Sequence, residues 1–181
     1  MTKKNKIKPP AGDAEQVETV TGRMAERFGS FFNGKTEDLV ARGVDHRSAV
    51  ASVIATSAWQ LLACAKNYGA PRDLVARSVG QIFGQPNIPQ GGRDALWEKV
   101  TQNFAEGVPR SEYDRLQAEL AKEIGDLLRE FDAAYRGCGM DAGDAAACVM
   151  ITSVTQILRC MKNNDCQRPA AERLVEKVWG S

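Results

Sequence analysis

One histidine, five cysteines and a repeated set of hydroxyl and amide side chains are the groups in this 181-residue chain with chemistry to offer. His46 sits between Asp45 and Arg47, where a helix amino terminus and charged neighbours can hold an imidazole for acid or base work. There is no second histidine, and an isolated exposed histidine is ordinarily just a solvated side chain. Cys138, Cys148, Cys160 and Cys166 offer sulfur for a metal, but no Cys-x-x-Cys knuckle or nearby histidine accompanies them. Gly139, Asp141, Gly143 and Asp144 resemble a fragment of an acidic loop, without the alternating oxygens and closing glutamate that calcium needs. Asp141 is better used as a helix cap. Gly80 and Gly84 make no phosphate loop, because no strand precedes them. No catalytic residue, metal or cofactor is therefore assigned.

The elements that must position these groups are helices. Val17, Val20, Met24, Phe28, Phe31 and Phe32 recur at helical spacing behind Asp13, a candidate cap, and Asn33–Gly34 is a stop signal. A short helix is expected over 36–42, and a long one from Asp45 to about Asn67 with apolar residues on nearly every side. A third follows Pro71 and stops at Gly84. Residues 85–93 (QPNIPQGGR) read as a linker, and Asp94 as the cap of a shorter helix carrying Leu96, Val100 and Phe104. No stretch alternates with a period of two, so no sheet is expected.

The second half repeats the first. Residues 20–84 laid on 116–180, an offset of 96, agree at 18 of 65 positions without a gap, where roughly four would arise by chance. The expected architecture is an all-α, internally duplicated helical bundle. Two three-helix halves, 13–84 and 110–181, are related by a pseudo-two-fold axis. They are joined by a linker with a short helix over 85–109 and preceded by a disordered basic tail over 1–12. Both halves belong to one domain.

The matches concentrate on the long helices. Ala49, Val53, Thr56, Gln60, Cys64 and Asn67 match Ala145, Val149, Thr152, Gln156, Cys160 and Asn163, tracing one helix face in each copy. Ser57 and Ser153 lie beside that face. If the faces meet antiparallel across the axis, Thr56 and Gln60 come near Thr152 and Gln156. The cluster then either fixes helix register or lines a polar pocket for a small ligand. The cysteines on the stripe read as small apolar packing groups. A second repeated set, Lys66, Arg72 and Arg77 with Lys162, Arg168 and Arg173, forms either a basic contact surface or a set of helix-end and ion-pair partners.

A net charge of +1 gives the molecule no overall pull toward nucleic acid or acidic lipid. No unbroken apolar run of membrane length occurs, and the amino-terminal lysines have no apolar segment behind them. The odd cysteine count without a scaffold pattern points to a reducing cytoplasm. The leading expectation is a cytoplasmic, non-enzymatic helical module that binds another protein or itself, with Trp97 and Trp179 available to a partner or to the core. A small-ligand protein using the Thr/Ser/Gln cluster is the alternative. Weak nucleic-acid association through Lys3, Lys4, Lys6 and Lys8 is a further one.

Overall fold

Apolar residues at helical spacing become seven helices: α1 (Ala11–Ala41), α2 (His46–Asn67), α3 (Arg72–Phe83), α4 (Arg93–Gln102), α5 (Arg110–Gly137), α6 (Ala142–Asn163) and α7 (Arg168–Trp179). The computed structural model describes residues 11–84 and 93–180, and no strand occurs among them. The expected tail falls outside the described residues for 1–10, while 11 and 12 are already helical, so Asp13 is inside α1 and does not cap it. Residues 85–92 of the expected linker also lie outside, and α4 starts one position before Asp94.

α1 and α5 run antiparallel along one side of the bundle. Val20, Met24, Phe28, Phe32 and Leu39 form the buried seam of α1, and Leu116, Leu120, Ile124 and Phe131 that of α5. Ion pairs lace the flank: Lys35 donates to Glu119 (2.9 Å) and Glu123 (2.7 Å), Arg115 to Asp38 (2.8 Å), and Arg27 pairs with Glu130 (3.4 Å). This pairing explains the main departure from the sequence reading, since α1 passes straight through Asn33–Gly34 and absorbs the helix expected over 36–42. Phe32 and Leu39 sit on the same buried seam either side of Gly34, and Lys35 is tied to α5. Tertiary contacts override a glycine cost of about 1 kcal/mol.

α2 and α6 pack directly on each other at the centre. Their starts are capped alike, Asp45 accepting from the Ser48 amide (3.0 Å) and Asp141 from the Asp144 amide (2.9 Å). Gly43 and Gly139 turn the chain into these caps at φ 89° and 86°, and Gly69 and Asp165 turn it out at φ 82° and 64°. The first three are glycines because a left-handed turn penalises any Cβ. Both helices are long and apolar enough to cross a membrane, with 67% of the most apolar window buried in α2 and 44% in α6. Scattered Ser, Thr and Gln hide this from a search for unbroken apolar runs.

α3 and α7 lie antiparallel, Arg72 at the start of α3 meeting Glu176 near the end of α7, and Arg168 at the start of α7 donating to the Gly84 carbonyl (2.8 Å). α1 packs on α6 as α5 packs on α2, and α3 packs on α6 as α7 packs on α2. α4 lies across α2 and α7.

Gly34 is helical and exposed, and a Cβ there would meet nothing within 4 Å. Gly34→Ala is expected to stabilise the protein by about 0.5–1 kcal/mol in urea unfolding, whereas a left-handed helix stop at this position would make it destabilising. The flank also sets a pH profile. Arg115 holds the Asp38 carboxyl, and Lys35 the Glu119 carboxyl, below the ordinary range. Their contribution is complete above the unfolded carboxylate pKa and fades as pH falls through the lowered values. Burial works to lower the Lys35 pKa, but bonds from Glu123 and Glu119 outweigh it and raise it above 10.5, so that contribution fades only at higher pH. Unfolding free energy is expected to be level from about pH 5 to 8 and to fall at acid pH as these carboxylates protonate, with Arg115→Gln flattening the acid limb. It is expected to fall above about pH 8.5 as well, as thiols that burial keeps protonated in the fold ionise in the unfolded chain.

Candidate functional site

Thr56, Ser57 and Ser153 of the polar stripe are buried and Gln60, Thr152 and Gln156 half-buried, and the bonds Gln60 and Thr152 make to another helix go to α5. Thr56 and Ser57 are 1% and 0% exposed, and Thr56 faces the Tyr113 phenol of α5 without a hydrogen bond of regular geometry. Burial pushes the Tyr113 pKa up, and the Thr56 hydroxyl opposes that rise. Gln60 donates its amide to the Gln117 carbonyl of α5 (3.3 Å), and its own oxygen has no partner. In the second copy Thr152 meets the Tyr135 hydroxyl at 3.4 Å, Tyr135 meets Thr21 of α1 at 2.8 Å, and Ser153 bonds the Met150 carbonyl one turn back (3.1 Å). Gln156 is half-buried. No hydrogen bond joins Thr56, Ser57 or Gln60 to Thr152, Ser153 or Gln156, so the expected cross-axis polar cluster is replaced by two separate contacts with flanking helices. Sequence reasoning missed the tyrosines, whose positions align with Val17 and Leu39 in the other copy and leave no repeat signal.

The repeated cations are occupied. Lys66 donates to the Val178 carbonyl (2.9 Å) and Lys162 to the Ile82 carbonyl (2.6 Å), so each lysine serves the end of the opposite half's third helix and not that of its own. Carbonyls in a helix's last turn lack intrahelical donors, and a cation there meets both the hydrogen-bond need and the dipole. Arg72 pairs with Glu176, Arg168 with Glu172 (2.7 Å) and Arg173 with Glu98 (3.9 Å), while Arg77 donates to the Asp73 carbonyl (3.3 Å). The pattern is that of internal staples more than of a basic docking face.

His46 and Arg47 line a recess of about 170 Å³ between the start of α2, α4 and the end of α6, with Trp97 and Asn164 opposite. Trp97 is 3% exposed and donates its indole N–H to the Asn164 carbonyl (2.9 Å), which makes it a core residue. Trp179 packs half-buried against the core. All five cysteines are free thiols, and burial pushes Cys64, Cys148 and Cys160 up, away from the thiolate a nucleophile needs. Among the described residues no three His, Cys, Asp or Glu side chains gather to hold a metal.

The most unusual surface is on α6. Ile151, in the middle of this central helix, is 56% exposed, and Ala147 beside it is exposed as well. Comparison with family models, curated proteins and solved structures returns no match for the chain. Geometry alone therefore carries the functional reading.

Unpaired buried hydroxyls separate a structural stripe from a ligand site. Ser57→Ala removes an unpartnered buried oxygen, so it is expected to leave stability unchanged or raise it by up to about 1 kcal/mol. Tyr135→Phe is expected to cost about 0.5–1.5 kcal/mol by thermal unfolding, because it removes the hydroxyl that joins Thr21 and Thr152. A metabolite that stabilises the wild type but not Ser57→Ala would move the stripe into the ligand-binding class.

Proposed function

We propose that the protein is a non-enzymatic, cytoplasmic helical module that works by binding another protein, on a frame formed from two copies of one three-helix unit related by a pseudo-two-fold axis. The observation that carries the binding reading is the exposed apolar side chain of Ile151 in the middle of the central helix α6. An isolated apolar residue on a surface needs no explanation, but this one continues an open stripe, with Ala147 exposed and Cys148 and Thr155 only half-buried.

Contacts that recur at an offset of 96 support the duplicated frame. Lys66 reaches Val178 while Lys162 reaches Ile82, the same pair of positions exchanged between halves. Asp45 with Ser48 corresponds to Asp141 with Asp144, and Gly43 to Gly139. α2 and α6 are read as core helices of a soluble bundle, because most of the apolar window of α2 is buried and both interiors are packed by flanking helices.

Purification of the tagged chain from its native host, followed by mass measurement of the complex, tests this reading. A stoichiometric protein partner is expected with the wild type and is expected to be lost from Ile151→Glu, with helicity and melting temperature retained because the site is exposed. Recovery of the monomer alone, or of the same complex with both proteins, would overturn it.

A further inference from the structure

The groove between α3 and α6 corresponds, at the offset of 96, to the groove between α2 and α7 that α4 fills. This correspondence rests on the pseudo-two-fold frame proposed for the chain. On the filled side α4 buries Trp97 and Val100, and Phe104 just beyond it stands 6.2 Å from Trp59. Ser52 donates to the Phe104 carbonyl (2.5 Å), and a Cβ on Gly107 would come within 2.9 Å of that of Ser48. Under this cover Ala51 and Ala55 are 2% and 0% exposed. From α7, Lys177 donates to the Thr101 (3.3 Å) and Gln102 (3.2 Å) carbonyls and lies 4.4 Å over the Phe104 ring, while Arg173 pairs with Glu98. A seated helix thus has small residues beneath it and cations at its carboxyl end, where its dipole is negative.

On the other side Ser52, Ala55 and Trp59 become Cys148, Ile151 and Thr155, and Arg173 and Lys177 become Arg77 and Gln81. The stripe is more open: Ile151 is 56% exposed where Ala55 is buried, and Cys148 is half-buried where Ser52 is buried. Thr155 and Arg159 of α6 and Gln81 and Ile82 of α3 line an open groove of about 520 Å³. Arg77 and Arg159 are exposed beside it, and Gln81 offers an amide donor at the position of the Lys177 ammonium.

We propose that this groove binds an amphipathic helix of a partner protein, about ten residues long, with the apolar pattern of α4 and an acidic carboxyl end. The seat of α4 shows what covers such a face. A second copy of this chain is a poorer occupant, because its own α4 is already seated on its α2. The helix carboxyl end and its acid would lie toward Arg77 and Arg159, with Ile151 against its apolar face and the position of Trp59 taken by the smaller Thr155.

A fluorescent peptide of residues 93–108, titrated into the full chain and followed by anisotropy, tests the proposal. Saturable binding is expected, weakened roughly tenfold or more by Ile151→Glu, which buries a charge without a partner, and less by Arg159→Glu. Thr155→Trp, which supplies the missing ring for the peptide's phenylalanine, is expected to tighten it. Binding that ignores Ile151→Glu and appears only when Phe104→Ala loosens the chain's own α4 would overturn the proposal, since the peptide would then be replacing α4 on α2. Absence of binding would overturn it too, as would a homodimer dissolved by Ile151→Glu, which assigns the face to a second copy. Lys66→Met and Lys162→Met check the symmetry separately, with comparable drops in melting temperature expected. Comparable drops without peptide binding refute the groove and leave the frame standing. Unequal drops with Ile151-dependent binding refute the frame and leave the groove.

Discussion

The packing of α2 against α6 is the constraint on which the rest of the molecule depends. α2 buries Ala49, Ala51, Ala55, Ala58 and Ala65 together with Val53, Ile54, Leu61 and Leu62, so it has almost no face left for water. Small side chains let neighbouring helices approach closely, and a helix apolar all round must be surrounded. α1 and α5 therefore flank the central pair, α3 and α7 close its far side, and α4 covers what remains of α2. α6 has the same length and a similarly capped start, but α4 does not pack on it as it does on α2, and Ile151 meets solvent.

Polar groups inside such a core need local solutions. Lys66 and Lys162 reach across to carbonyls at the ends of α7 and α3, tying α2 to α7 and α6 to α3. Tyr135 joins α1, α5 and α6 through Thr21 and Thr152. Thr56 and Ser57 lack such partners, and that cost is tolerated in a helix with large apolar burial around it. These arrangements organise the fold, in which α4 lies over α2 while Ile151 on α6 meets solvent.

Much of the helical framework was legible in the residues. Asp141 caps α6 as its side chain implies, and α2 and α3 begin and end within a residue of the expected limits. These features depend on interactions spanning four or five residues, which the sequence displays directly. The stop at Gly34 failed for the opposite reason: its local preference lost to contacts with α5 some 85 residues away, such as Lys35 with Glu119. The residues of the polar stripe were legible as one helix face, but the tyrosines of α5 beside it were not, because Val17 and Leu39 stand 96 positions before Tyr113 and Tyr135.

By itself the sequence determined that the chain is helical, where most helices turn and which face of each is apolar, since those properties follow from periodicity and local hydrogen bonding. Only the tertiary structure decided which faces meet. It turned Gln60 and Thr152 toward α5, engaged the lysines and arginines of the second matched set with helix ends and acidic side chains, put Trp97 in the core and left Ile151 outside. The physical reason is that an apolar stripe records a need for burial and not the identity of the surface that supplies it. α2 and α6 share much of their sequence, but α4 covers one, and the matching face of the other is open.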